Sequence, residues 1–268
     1  MIKTNKASFS GAKSKLLNSL AAIVLITPGV AMAEEASPLS ANVGFTTDYI
    51  FRGISQTSAK PAVQGGIDFA HASGFYAGVW GSNIRWITDF GATGSARIEL
   101  DTYAGFKNAF AGDFNYDIGV IRYNYPGSYT PAAGTVKADT DEIYGAIGYK
   151  WVTAKYSHGL GKFLTVPGAT GTNYIEINAS IPVADTGLTF GAHLGKQTYR
   201  GAAASTLALA GFDPTYTDYK LSVSKDFSGY VIGFAYSDTN APSGGFYTTP
   251  AGRNLARGAA VLSVTHSF

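Results

Sequence analysis

The side chains best equipped for chemistry in this 268-residue chain are few and scattered. Glu99 and Asp101 stand two residues apart. On a strand that spacing puts both carboxylates on one face, about 7 Å from each other. Two such acids could divide general acid and base work. Arg97 shares their parity, so a structural ladder of ion pairs is the simpler account of the run. The four histidines, His71, His158, His193 and His266, are not paired at metal-ligand spacing. His193 alternates with apolar neighbours and is expected as a hydrogen-bonded side chain on an inward face. His266 is expected outside, near a chain-end interface. No Gly-x-Ser-x-Gly elbow is present, and acyl transfer would need Ser, His and an acid brought together by the fold. Gly159-Leu-Gly161 is too short to cradle a phosphate, and no Walker or Rossmann pattern occurs. The residues thus imply no cofactor, no metal and no catalytic set, with a hydrolase kept as the lesser alternative.

What must position these residues is read from composition. Charged residues are only 14% of the chain, aromatics 13%, and glycines number 33. The mean hydropathy is +0.05, and no long apolar run follows residue 30. That excludes a helical bundle of membrane spans, each of which needs about 20 apolar residues. Abundant Tyr, Phe, Val and Ile argue against disorder. The absence of Cys excludes a disulfide scaffold and suits an oxidising compartment.

Residues 1–33 read as a secretory signal peptide. Lys3, Lys6, Lys13 and Lys15 open it, a mostly apolar stretch spans 16–30, and Ala31-Met32-Ala33 has the A-x-A cleavage form. Cleavage would leave one domain, 34–268. It removes four lysines and no acid, leaving sixteen basic and eighteen acidic residues. The isoelectric point near 8.6 belongs to the precursor and is no footprint for nucleic acid.

From Ser40 onward the dominant signal is period two. Twelve segments show it: 40–54, 61–72, 75–84, 96–107, 113–125, 140–150, 152–158, 173–183, 187–199, 217–227, 229–238 and 259–268. In 229–238, Tyr230, Ile232, Phe234 and Tyr236 share one face, while Val231, Gly233, Ala235 and Ser237 share the other. Connections alternate strictly. Short turns fall at Ser73-Gly74, 109–112, Lys150-Trp151, 184–187 and Ser228-Gly229. Longer loops include 126–139, 159–172, 200–216 and 239–258. This parity predicts an up-and-down antiparallel β-barrel of about twelve strands, all-β and transmembrane, with short periplasmic turns and long extracellular loops. Two segments leave the phase open. In 75–84 either Val79 or Trp80 could face lipid, and in 113–125 the outward set runs into Arg122. There, either a bulge shifts the phase or Arg122 lies above the hydrocarbon.

The inward faces then supply candidate pore residues: Asp48, Arg52, Asp68, Arg97, Glu99, Asp101, Asp117, Glu142, Lys155, Glu176, His193, Lys220 and Asp226. Tyr219, Phe227, Tyr230 and Tyr236 fall toward strand ends, as an aromatic girdle requires. The last strand alternates apolar residues and ends in Phe268. That pattern resembles the signal read by the bacterial barrel-assembly machinery.

The stretch NVGFTTDYIFRGISQT at 42–57 resembles the opening motif of the TorF-type porins, a family of bacterial exported proteins of unknown function. Further similar stretches are 61–68, 78–83, 99–105, 116–121 and 125–127. The resemblance covers nearly all of 34–268 and implies an outer-membrane barrel, without functional residues to carry over. The expected function is a porin-like channel for passive diffusion of small hydrophilic solutes across the outer membrane of a Gram-negative bacterium. Lipid, the assembly machinery and such solutes are the expected partners. The alternative is a barrel closed by its own charge network, with a structural or adhesive role. Twelve strands leave little free lumen, and the loops at 126–139, 200–216 and 239–258 could fold in to narrow it.

Overall fold

The computed structural model describes residues 37–268; the signal peptide read at 1–33 lies outside the described residues. Twelve antiparallel strands form the wall: β1 (Leu39–Thr46), β4 (Ala62–Ala70), β5 (Phe75–Asn83), β7 (Ile98–Ala109), β8 (Phe114–Asn124), β10 (Thr140–Tyr149), β11 (Val152–Gly159), β12 (Asn173–Val183), β13 (Leu188–Thr198), β14 (Tyr216–Phe227), β15 (Tyr230–Thr239) and β16 (Ala259–Ser267). Each pairs with its chain neighbours, and β1 also pairs with β16, so the barrel closes without an edge. Phe268 extends the seam: its N–H donates to the Ala41 carbonyl at 2.8 Å, and Ala41 returns the bond at 3.3 Å. The loops carry β2 (Ile50–Phe51), β3 (Ile54–Ser55), β6 (Thr93–Gly94), β9 (Tyr129–Thr130) and two helices, α1 (Trp86–Asp89) and α2 (Gly201–Leu209).

The wall follows the period-two pattern closely. Ile67, Ile118, Ile177, Leu194, Phe234 and Leu262 are all exposed on the outside, while Glu142, Tyr174 and Asp218 are buried inside. A chain of aromatics runs along part of the short-turn end: Phe106 and Phe110 meet Tyr116, and Phe110 and Phe114 lead on to Tyr149. At the same end His266 faces outward as expected, stacked on Tyr230 at 4.2 Å. The turn between β14 and β15 has positive φ at both Ser228 and Gly229, the two-residue geometry that matches strand twist.

Both open phases resolve. Val79 is exposed and Trp80 turns inward against Tyr49. Pairing of β8 with β7 and β10 is unbroken, so no bulge occurs. Arg122 instead stays outward at the long-loop end and pairs with Asp141 at 2.9 Å.

The first segment is the main correction. The wall strand ends at Thr46, not at residue 54. Hydroxyls divert the chain there: Thr46 Oγ1 donates to the Asp48 carbonyl, and Ser55 and Thr57 donate to the Asp48 carboxylate at 2.6 and 2.8 Å. Such local bonds compete with a sheet ladder. Positive φ at Arg52 and Gly53 then folds β2 onto β3 as a tight hairpin. The second correction is α2, which occupies a stretch read as loop; its alanines favour helix without giving an apolar stripe.

The loops do not stay outside. Ile54, Trp86, Ile87, Tyr129, Tyr247 and Leu255 form an apolar core against the inward Tyr123 and Tyr216 of the wall. The loops at 126–139 and 239–258 therefore contribute to filling the mouth. The loop at 200–216 adds a second cluster through Ala203, beside Tyr199 and Phe163.

Candidate functional site

The β2–β3 hairpin crosses the barrel. It leaves from β1 and places Arg52 against β10, β12 and β13, which stand on the opposite side of the closed strand order. Arg52 Nη1 and Nη2 donate to the two Glu142 carboxylate oxygens at 3.0 and 2.7 Å, and Nη1 also donates to Gln197 at 3.0 Å. The guanidinium lies over the Tyr174 ring, 4.4 Å from its centroid. Tyr216 Oη donates to the Arg52 carbonyl at 2.7 Å. Both side chains of the ion pair are buried, at 8% and 1% exposure. A bidentate pair reinforced by a third hydrogen bond and a ring face is a geometry in which a buried charge can persist. Asp48 and Arg52 thus sit on a loop that reaches across the barrel and not on the wall. Burial pushes the Asp48 carboxyl above the ordinary carboxylate range, against the pull of its two hydroxyl donors.

Glu99 and Asp101 face inward near the same level and are buried. The expected partner Arg97 is exposed and makes no ion pair among the described residues. The reason is local. β7 starts at Ile98, and the chain just before it is tucked under the loops with Ala96 fully buried. Strand parity therefore does not extend back to Arg97. Tyr49 takes its place, donating to Glu99 Oε1 at 2.7 Å. Asp101 Oδ1 is buried without a hydrogen-bond partner.

Below this layer the lumen is lined by tyrosine–acid pairs and lysines. Tyr103 donates to Asp68, and Tyr76 donates to Asp117 at 2.6 Å while also bonding Tyr144. These rings lie flat against the wall because glycines face them. A Cβ at Gly78, Gly105 or Gly119 would come within 2.6 Å of the ring carbon Cζ of Tyr103, Tyr76 or Tyr144 respectively. Lys155 sits 4.0 Å from the Tyr144 ring centroid and is opposite Glu176 in register. Lys220 is opposite His193. Lys107, which sequence reasoning passed over, is opposite Asp117 and 5.0 Å from the Tyr76 ring. Its parity with Tyr103 and Gly105 was a usable signal.

His193 is held on all sides. Nδ1 bonds Asn178 at 2.6 Å, and Nε2 meets Asp218 and Tyr174 at 2.9 Å. Glu176 lies 3.6 Å from Nδ1. Neither ring nitrogen bonds a serine or threonine hydroxyl, so this cluster lacks the nucleophile–base contact of a hydrolase. Asp218 and Gln197 were missed, although both share the inward parity of neighbours already chosen. Asp226, last in the set, accepts the Gly229 N–H at 2.7 Å and is engaged in a short turn.

A closed wall, apolar outside and charged inside, with loops folded into one mouth, defines a porin-like β-barrel. Residues 31–268 match the family described as "Bacterial protein of unknown function (Gcw_chp)", and the chain belongs to that family. No curated protein matches it. Among solved structures it is similar to the KdgM porin in complex with disordered oligogalacturonate, at 8% identity and a TM-score of 0.50, covering 85% of this chain and 99% of that one. The NanC porin follows at 8% identity and 0.49, covering 86% and 98%. OprD from Pseudomonas aeruginosa gives 14% and 0.38, covering 88% and 66%. At these identities the likeness concerns the fold.

Proposed function

We propose that this chain is an outer-membrane channel for small hydrophilic solutes, exported by cleavage after Ala33 and held closed at its outer mouth by the β2–β3 hairpin. It is not an enzyme on this reading, and its kinship extends to the TorF-type porins that its 42–57 motif resembles. The observation that carries the proposal is the polarity inversion: tyrosine–acid pairs and lysines inside a wall whose outside is apolar. A barrel with no solute to pass could fill its core with apolar side chains, as these loops do only at the mouth. The crossing hairpin favours a second reading, a permanently closed barrel with a structural or adhesive role.

Conductance in a planar bilayer separates the two. The expected result is a small, salt-dependent conductance with slight cation preference. Acids and lysines alternate closely in the lower lumen, so much of the field cancels locally. Exchanging Glu99 and Asp101 for Gln and Asn together should reduce that preference. Clear anion selectivity would shift control of the field to loop bases such as Arg253 and Arg257.

Orientation is tested on intact cells. Ser243 and Ser228 are both exposed, at opposite ends of the barrel. A Cys at Ser243 should react with an impermeant thiol reagent, and one at Ser228 should not. The reverse labelling would invert the topology.

A further inference from the structure

Above the Arg52 hairpin the loops enclose a cavity of about 340 Å³ that differs in kind from the lumen beneath it. Eight of its lining residues are aromatic and none is charged. Its wall includes T-shaped pairs, Tyr216 with Tyr247 at 5.0 Å and Tyr199 with Phe246 at 5.8 Å. These present ring edges and faces to whatever enters, the arrangement in which aromatic groups attract one another. Most polar groups of the inner wall are engaged already, while Trp86 Nε1 is buried there without a hydrogen-bond partner. Gln197 accepts from Arg52 and donates to the Asn173 carbonyl, and Gln56 donates to the Ile54 carbonyl. Tyr216 and Tyr247 donate to the carbonyls of Arg52 and Pro214.

Such a site deselects two ligand classes. A carboxylate or sulfonate would be desolvated with no cation in the wall. A sugar would bury many hydroxyls against a wall where Trp86 Nε1 is a free buried donor but the Gln197, Tyr216 and Tyr247 donors are already paired. The size is also informative. A dry apolar cavity of roughly 150 Å³ takes benzene, so this one, more than twice as large, has room for two fused rings. The small Ala202 and Ala203 of α2 leave that space, and exposed Gly134, Thr135, Pro167 and Thr206 form the rim. We propose that the loop cavity is a binding site for a small uncharged aromatic molecule of about two-ring size, entering from the long-loop side. None of the charged lumen residues lines the site, but its floor includes Phe51 and Ile54 of the crossing hairpin.

The test uses the full-length barrel in lipid nanodiscs, with empty nanodiscs as blank and 2-naphthol as probe, followed by calorimetry and saturation-transfer NMR. Saturable binding above the blank is expected, with 2-naphthalenesulfonate and glucose at least tenfold weaker. Ala203→Phe, which fills the cavity from α2, should weaken 2-naphthol at least tenfold while heat-modifiable migration on a gel stays normal. If that variant does not fold, Thr206→Trp at the exposed rim should reduce the association rate instead. The proposal is overturned by binding no greater than the blank. It is equally overturned by equal binding of the sulfonate, or by cavity-filling variants that bind as the parent does.

Discussion

Replacing Arg52 by methionine is expected to open the outer mouth, raising conductance severalfold and exposing the 47–60 loop to protease. The substitution keeps an unbranched apolar stem and removes the guanidinium, with its charge and its hydrogen bonds to Glu142 and Gln197. Glu142 would then be buried with Tyr123 Oη, at 3.2 Å, as its remaining partner. Removing one member of a buried ion pair costs about 3–5 kcal/mol, because the other charge is stranded. The cheapest relief is for the hairpin to leave and let water reach Glu142. A cost of that size changes a closed-to-open ratio by about two to four orders of magnitude. The wall should survive, since its ladder bonds do not involve Arg52, so heat-modifiable migration is the control. Adding Glu142→Leu removes the stranded charge and should restore closure. A double variant as open as the single one would show that the pair does not hold the hairpin. Unchanged conductance and protease resistance in Arg52→Met would favour the permanently closed barrel.

The wall was legible because its two signals are local. Alternation needs only neighbouring residues, and loop-length parity needs only a count between turns. Both survive wherever ladder bonds hold the chain extended, as in β12, where Ile175, Ile177 and Ile181 are exposed outside. They fail at the first residue beyond the ladder. Arg97 has the right parity but sits before the first residue of β7, next to the buried Ala96, where the alternation breaks although its carbonyl still accepts from the Ile84 N–H. Arg52 shows a second limit. Its partner Glu142 lies 90 residues away, and period-two reasoning carries no information on which strands a loop will reach. The aromatic cavity was hidden for the same reason. Phe51, Trp86, Phe163, Tyr199 and Tyr247 come from separate loops, and only the closed strand order brings those loops to one mouth. Asp218, Gln197 and Lys107 are different: each shares the inward parity of its strand neighbours, a signal that local alternation does carry.

On the outer face, Phe234→Arg is expected to destabilise the barrel by about 2–4 kcal/mol, the cost of a cation at the bilayer midplane. The depth is read from the ladder. Phe234 lies mid-strand in β15, opposite Val223 on one side and Leu262 on the other, with Leu221 beyond Val223 also exposed to the outside. Ile232 is two residues nearer the short turn and stands opposite Lys225. Lys225 is itself on the outward parity, with its ammonium 5.3 Å from the Phe227 ring, so that level already accepts a cation near the interface. Ile232→Arg should therefore cost only about 0–1 kcal/mol. Ser222→Arg, on the inward face of β14, should fold and alter conductance instead. The measurement is reversible guanidinium unfolding in lipid, followed through tryptophan emission. Equal tolerance of arginine at 234 and 222 would mean that the outer surface is wet, and the membrane reading would fall with it. Equal cost at 232 and 234 would keep the membrane and move its midplane toward the short turns.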